Sequence, residues 1–160
     1  ASDFDPPILA SCVGRPVAFM AKEELFRVPI LGAAIRLYGA YPVKRGSPDR
    51  SALRSALESM QRGWAVGIFL EGTRTPDARI HSPKLGAALI AAKAGAPLLP
   101  VSLWGTERII KGKSPVPNAV PVTVRIGELL PPPASTDRAE LEAVTNRCAD
   151  VINSMHALGR

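Results

Sequence analysis

Apolar runs a few residues long alternate along this chain with longer segments in which apolar and polar side chains mix. The clearest mixed segment is 49–61, where Leu53, Leu57 and Met60 recur at spacings of four and three residues. That periodicity predicts a helix with one apolar face. Apolar runs that predict strands lie at 17–21, 65–69, 98–103 and 120–126. Strands that alternate with helices favour an α/β fold with a mixed, mainly parallel sheet flanked by helices.

Residues that start or stop helices place the remaining elements. Asp5 before Pro6 and Pro7 predicts a helix start, because Asp caps a helix well and proline is tolerated in the first turn. Gly95 predicts the end of an alanine-rich helix, since glycine readily adopts the left-handed conformation of a helix end. Helices are predicted at 29–37, 83–94 and 137–158, and a brief extended segment at 40–43.

Length and composition predict one domain. The chain has 160 residues, of which 46% are hydrophobic, which suits one core and is too short for two full domains. We expect a single domain over residues 1–133 and a C-terminal helix, within 134–160, that packs on the same domain. No apolar run approaches the roughly 18 residues that a membrane-spanning helix requires, and the first residues lack the pattern of a secretory signal.

The charge of the chain favours anionic partners. Twenty Lys and Arg against 14 Asp and Glu give a net charge of +6, which suits lipid headgroups, phosphorylated metabolites or coenzyme phosphates. Aromatic residues make up only 5% of the chain, so we expect no nucleic-acid partner. Cys12 and Cys148 lack a CxxC pattern or neighbouring His ligands, so we expect two buried thiols and no metal site.

The sequence Leu70-Glu71-Gly72-Thr73-Arg74 follows the apolar run 65–69 directly. Ligands of open α/β sheets bind beyond the carboxyl ends of such strands. Arg74 carries a planar set of donors that matches phosphate oxygens, Gly72 permits close approach of the backbone, and Thr73 adds a hydroxyl. A simple turn with a surface ion pair is the structural alternative. A second basic cluster, Lys44-Arg45-Gly46, follows the extended segment 40–43.

Four blocks of the sequence, in order, resemble the 1-acyl-glycerol-3-phosphate acyltransferases of the glycerolipid acyltransferase family. Leu70 to Arg74 is similar to the family's third block, a Pro-Glu-Gly-Thr-Arg sequence, with Leu in place of proline. Gly39-Ala40-Tyr41-Pro42-Val43-Lys44-Arg45 is similar to the second block, and Leu98-Leu99-Pro100-Val101 to the fourth. Phe19 to Leu25 resembles the sequence that commonly lies between the first two. The resemblance covers roughly residues 1–133 and implies a glycerol-3-phosphate acyltransferase-like fold.

The first block of the family, Asn-His followed by four residues and Asp, is matched only in part. Asp5 fits the Asp, and the His would lie immediately before Ala1. We expect the natural protein to continue upstream and to carry this His, and we expect the 160 residues alone to be nearly inactive. A true loss of the His is the alternative, and helix capping alone also explains Asp5.

The resemblance implies a role for each matched residue. The His before Ala1 would remove a proton from the acceptor hydroxyl, and Asp5 would orient that imidazole and stabilise its charged form. Arg45 and Arg74 would bind the acceptor phosphate with help from Gly72 and Thr73, while Glu71 would order the loop or hold an arginine. Lys44 is a further binding candidate. His81 and His156, the two histidines present, do not fit the catalytic pattern.

We therefore expect an enzyme that moves a fatty acyl group from acyl-CoA or acyl carrier protein to lysophosphatidic acid. The product would be phosphatidic acid, made at the cytoplasmic face of a membrane without a metal or other cofactor. A catalytically inactive phospholipid-binding or phosphate-binding module of the same fold is the first alternative. A phosphate-binding α/β enzyme of unrelated chemistry is a more distant one.

Overall fold

The computed structural model describes residues 4–27, 29–37, 39–43, 50–73, 75–109 and 118–160. Its α-helices are α1 (Asp5–Val13), α2 (Pro29–Leu37), α3 (Arg50–Gln61), α4 (Gly86–Ala94) and α5 (Arg138–Ala157). Its strands are β1 (Val17–Lys22), β2 (Tyr41–Val43), β3 (Ala65–Gly67), β4 (Val101–Trp104) and β5 (Thr123–Ile126), and 3-10 helices span Glu23–Arg27 and Thr106–Arg108. The chain divides into two compact units, one formed by Pro6–Ile68 and the other by Ala1–Asp5 with Phe69–Arg160.

The unit Pro6–Ile68 is built on a parallel sheet with the strand order β2-β1-β3. In the register of the sheet, Met20 of β1 pairs with Tyr41 of β2, and Val17 of β1 pairs with Ala65 of β3. Having a neighbour on each side, β1 is buried at Val17, Ala18 and Phe19. The predicted α/β fold with parallel strands is therefore confirmed.

Helix α3 packs on this sheet through its smallest side chains. Ala52 and Ala56, one helical turn apart, are buried, with 5% and 0% of their surface exposed, whereas Leu53, Leu57 and Met60 are half-buried. The predicted helix is confirmed, but the apolar face expected from its leucines is not its deepest one. Alanine lets the helix axis approach the sheet more closely than leucine does.

Strand β3 is shorter than predicted, because it ends at Gly67 and the predicted run extended to Phe69. Its three residues are half-buried and pair only with β1 within the described residues. Phe69 is 40% exposed. An apolar run such as 65–69 suggests a fully buried strand, and that expectation is wrong here. Burial belongs to the central strand β1, and an apolar run does not reveal where its strand lies in a sheet.

In the unit that contains Phe69–Arg160, β4 and β5 form an antiparallel pair. An isolated bridge between Leu98 and Leu130 extends this pairing. Helix α4 ends at Gly95 as predicted, where Gly95 adopts a left-handed conformation at φ 60° and donates its N–H to the last turn. Helix α4 begins at Gly86, three residues later than predicted, and Lys84 before it donates its backbone N–H to the carbonyl of Leu70.

Helix α5 packs against β4 and α4 through one buried row of side chains. That row consists of Leu141, Thr145, Cys148 and Ala149. The expected domain bounds, 1–133 and 134–160, stay a prediction. Among the described residues, none of the helices is both long enough and apolar enough to cross a membrane.

Candidate active site

The two segments that carry the basic motifs both follow strands of one parallel sheet. Strand β2 ends at Val43, directly before Lys44 and Arg45, and β3 ends at Gly67, shortly before Glu71. Because both strands run parallel to β1, their carboxyl ends lie at the same edge of the sheet. That edge is where ligands of open α/β sheets bind. Lys44, Arg45 and Arg74 themselves lie outside the described residues, so their binding roles stay predictions.

The third motif opens a closed loop. The carbonyl of Leu70 accepts a hydrogen bond from the N–H of Lys84 at 2.7 Å, which brings the two ends of segment 71–83 together. At the start of the loop, Gly72 donates its N–H to the carbonyl of Phe69 at 3.0 Å. Leu70 is buried beneath this closure, with 6% of its surface exposed. The segment is therefore a compact surface loop with a fixed base, a type that frequently carries function.

Glu71 holds the far side of that loop. Its Oε2 accepts hydrogen bonds from the backbone N–H groups of His81 and Ser82, at 3.0 and 2.9 Å. Such bonds to an ionised acceptor are about twice as strong as neutral ones. This arrangement orders the loop, one of the two roles that the resemblance implied for Glu71, while contact of Glu71 with substrate stays a prediction.

Gly72 and Thr73 are exposed within the same loop. Gly72 has φ +69°, in the left-handed region that side chains other than glycine seldom adopt. A Cβ built on Gly72 would lie 3.8 Å from Cγ of Lys84, so the aliphatic part of that lysine passes close to the motif. Lys84 is an exposed cation beside Gly72 that sequence analysis missed, because only the folding of the loop brings the two together.

The outer part of the loop is held by its own side chains. Thr75 donates its hydroxyl to the carbonyl of Arg79 at 2.8 Å, and Asp77 accepts the N–H of Arg79 at 3.1 Å. The ring of His81 lies 2.9 Å from the carboxylate of Asp77. That hydrogen bond, with help from the Arg79 N–H, lowers the pKa of Asp77. Ala78 has φ 56°, an uncommon conformation that persists where the surroundings determine it.

Asn153 attaches this loop to helix α5. Its side-chain amide accepts the N–H of Ile80 and donates to the carbonyl of Ile80, both at 2.9 Å. The two residues are 73 positions apart in the sequence. Sequence analysis missed Asn153, and no local pattern around it marks this contact.

Asp5 is the first residue of α1, as its predicted position at a helix start requires. Only 3% of its surface is exposed, and it falls in the same compact unit as the Glu71 loop. A carboxylate that only caps a helix has no need to leave water, because burying its charge is costly. The burial of Asp5 therefore favours a role beyond capping.

The remaining histidine and cysteine side chains occupy different environments. His81 is engaged with Asp77, and His156 occupies the last turn of α5. Cys148 is buried but Cys12 is exposed, so the expectation of two buried thiols is wrong for Cys12, which lies on the open face of α1. Within the described part of the chain, no three His, Cys, Asp or Glu side chains are grouped so that they could hold a metal ion.

The parallel sheet and the motif loop define an α/β protein with a candidate anion site, and comparison with known proteins gives its class. The family model described as Acyltransferase matches residues 1–104. The chain therefore belongs to the acyltransferase family, as the four sequence blocks indicated.

Individual relatives are more specific. The chain is 37% identical over 100 residues to the 1-acyl-sn-glycerol-3-phosphate acyltransferase BAT2 of Brassica napus, a match that covers 61% of this chain and 29% of that protein. It is 33% identical over 129 residues to a 1-acyl-sn-glycerol-3-phosphate acyltransferase of Chlamydomonas reinhardtii, covering 78% of this chain and 38% of that one. The matched part thus spans well under half of either relative.

A solved structure is similar over nearly the whole chain. The 1-acyl-sn-glycerophosphate (LPA) acyltransferase PlsC of Thermotoga maritima superimposes with a TM-score of 0.70 at 32% identity. The superposition covers 94% of this chain and 62% of the Thermotoga protein. A coverage of 94% extends beyond residues 1–104, which the family model matches.

Proposed function

We propose that the protein transfers a fatty acyl group from an acyl thioester to lysophosphatidic acid and so produces phosphatidic acid. The observation that carries this proposal is that β2 and β3, the strands that precede the two motif segments in the sequence, both run parallel to β1 and so end at a common edge of the sheet. The names of the relatives support the choice of lysophosphatidic acid as acceptor. The donor is acyl-CoA or acyl carrier protein, since both present the acyl group as a thioester.

The acceptor phosphate is held by Arg45 and Arg74, with Lys44 as a further cation. One guanidinium group can donate two parallel hydrogen bonds to the oxygens of a phosphate. Such a contact fixes the orientation of the acceptor and also balances its negative charge. Gly72 and Thr73 are exposed in the loop that Glu71 orders, so backbone N–H groups and a hydroxyl are available to the same phosphate. The free glycerol hydroxyl is thereby directed towards the catalytic pair.

The reaction requires a base, because a hydroxyl is a poor nucleophile at neutral pH. The His expected immediately before Ala1 takes the hydroxyl proton, and buried Asp5 orients its ring and stabilises the imidazolium. The hydroxyl oxygen bonds to the thioester carbonyl carbon, the carbon–sulfur bond breaks, and the departing thiolate receives the proton from the imidazolium. A base of this kind contributes typically about 10²- to 10⁴-fold to the rate.

The first test uses the natural full-length protein and follows release of free thiol from an acyl thioester. We expect thiol release only when lysophosphatidic acid is supplied, with phosphatidic acid as product. The nucleotide sequence upstream of the Ala1 codon should encode Asn-His. Release of no thiol with either acyl-CoA or acyl carrier protein donors would contradict the proposal and favour the inactive binding module.

Replacement of Arg74 tests the phosphate site. We expect Arg74→Ala to raise the KM for lysophosphatidic acid by about 100-fold, because a charge-assisted contact to a phosphate that has lost its water contributes a few kcal/mol. Arg79→Ala is the matched control, since Arg79 is an exposed arginine of the same loop, and it should leave KM unchanged. An Arg74→Ala enzyme with the KM and kcat of the natural protein would remove Arg74 from the site.

A further inference from the structure

The Glu71 loop is connected to a helix that the family model does not include. Helix α5 begins at Arg138, whereas the family match ends at residue 104. From α5, Asn153 makes paired hydrogen bonds to the N–H and carbonyl of Ile80, both at 2.9 Å. One side-chain amide therefore satisfies both polar backbone groups of a single loop residue.

The held residue stands next to the groups that Glu71 uses. Ile80 directly precedes His81 and Ser82, whose N–H groups bond to Oε2 of Glu71 at 3.0 and 2.9 Å. Fixing Ile80 therefore fixes the direction of those two donors. Through Glu71 the constraint reaches Gly72 and Thr73, which follow it in the chain.

The position of Asn153 is itself well determined. Helix α5 packs against α4 and β4, and Cys148 and Ala149, one turn before Asn153, are buried. A side chain on such a helix can hold a surface loop at one place, because the helix does not move with the loop.

We infer that Asn153 is a positioning residue for the acceptor site: its amide holds Ile80, and through Glu71 it sets the geometry of Gly72 and Thr73 that receives the lysophosphatidic acid phosphate. The inference rests on the proposed function for its substrate. Its structural part, the connection from α5 to the motif, depends only on the hydrogen bonds described.

The test compares three side chains at position 153 in the natural full-length protein. Asn153→Leu removes both hydrogen bonds, and we expect the KM for lysophosphatidic acid to rise about tenfold while kcat stays within about threefold. Asn153→Asp keeps an acceptor for the Ile80 N–H but loses the donor, so its KM should lie between the other two. The dissociation constant of lysophosphatidic acid should follow the same order.

Two further variants separate positioning from stability. Asn146→Leu changes the same residue type at an exposed position of the same helix, and its KM should equal that of the natural protein. Leu141→Ala removes a buried side chain of α5, so it should lower the melting temperature and leave KM unchanged. Hydrogen exchange of the peptide covering residues 69–84 should accelerate in Asn153→Leu and not in Asn146→Leu.

Each outcome decides one proposal. Faster exchange in Asn153→Leu with an unchanged KM and dissociation constant would overturn the inference, because the contact would then be structural only. Unchanged exchange would overturn it as well. A natural protein that binds lysophosphatidic acid but transfers no acyl group would contradict the proposed function, and the dissociation constants would still decide the role of Asn153.

Discussion

Cys148 and Cys12 lie in opposite environments, one inside the α5 packing and one on an open helix face. Burial raises the pKa of the Cys148 thiol, because water no longer stabilises its thiolate. Only the thiolate reacts with alkylating reagents, and access is required as well. The two thiols should therefore differ sharply in reactivity.

We expect Cys148 to react with iodoacetamide at pH 8 at least about tenfold more slowly than Cys12, since both burial and its thiolate fraction oppose reaction. The raised pKa means that the rate at Cys148 should continue to increase at pH values where an ordinary thiol is already ionised. Mass spectrometry of the two cysteine peptides, sampled over time at several pH values, measures both rates. A Cys12→Ser variant isolates Cys148, and equal rates at the two positions would contradict its burial.

The sequence predicted the role of a single motif residue only where that role depends on residues next to it in the chain. Asp5 as a helix start needed nothing beyond its neighbours Pro6 and Pro7. The sequence left two roles open for Glu71. Its hydrogen-bond donors are the backbone N–H groups of His81 and Ser82, ten and eleven positions away, and backbone groups carry no sequence signature.

The loop from Glu71 to Pro83 is the element on which the site depends, and its backbone requires glycine at position 72. Gly72 lies at φ +69°, where a side chain brings Cβ too close to the following carbonyl oxygen and costs roughly 1–2 kcal/mol. Space is not the obstacle, since a Cβ there would meet only Lys84 Cγ at an ordinary contact distance of 3.8 Å.

Gly72→Ala should therefore lower the free energy of unfolding by about 1 kcal/mol and raise the KM for lysophosphatidic acid, because the strain falls on the motif itself. Gly86→Ala is the matched control. Gly86 is the first residue of α4, has no positive φ and has no atoms within 4 Å of an added Cβ, so alanine there should leave stability unchanged or increase it. Urea denaturation of both variants measures the difference, and equal stabilities would contradict the role of the left-handed backbone.

Helices were predicted more closely than strands because their signals are local. Pro29 to Leu37 was predicted with the observed bounds, and the last helix differed by one residue at each end. In contrast, the strand predicted over 65–69 ends at Gly67 in the structure. A strand extends only as far as it pairs with its neighbours, and the sequence does not show where that pairing ends.

At the scale of the whole molecule, the excess of basic residues is the clearest property. A net charge of +6 favours an anionic leaflet by about 1 kcal/mol for each Lys or Arg near its surface. The charge therefore favours association with the surface of an anionic membrane.

The 160-residue chain should sediment with vesicles that contain phosphatidylserine and remain in solution with vesicles of phosphatidylcholine alone. Binding should fall steeply between about 0.05 and 0.5 M salt, because the Debye length shrinks below about 10 Å within that range and the charges are screened. Equal sedimentation with both kinds of vesicle, independent of salt, would show that charge does not govern association.

The sequence by itself determined the α/β class, the bounds of most helices, the family and the place of the motif after a strand. Each of these follows from side chains close together in the chain: apolar periodicity, capping residues and short motif spacings. Only the tertiary structure decided that β1 is central, that Ala52 and Ala56 rather than the leucines of α3 meet the sheet, and that β4 and β5 are antiparallel. It also decided that Asn153 holds Ile80. The physical reason is that these contacts join backbone groups and small side chains far apart in the sequence, where no local preference records which partner each will meet.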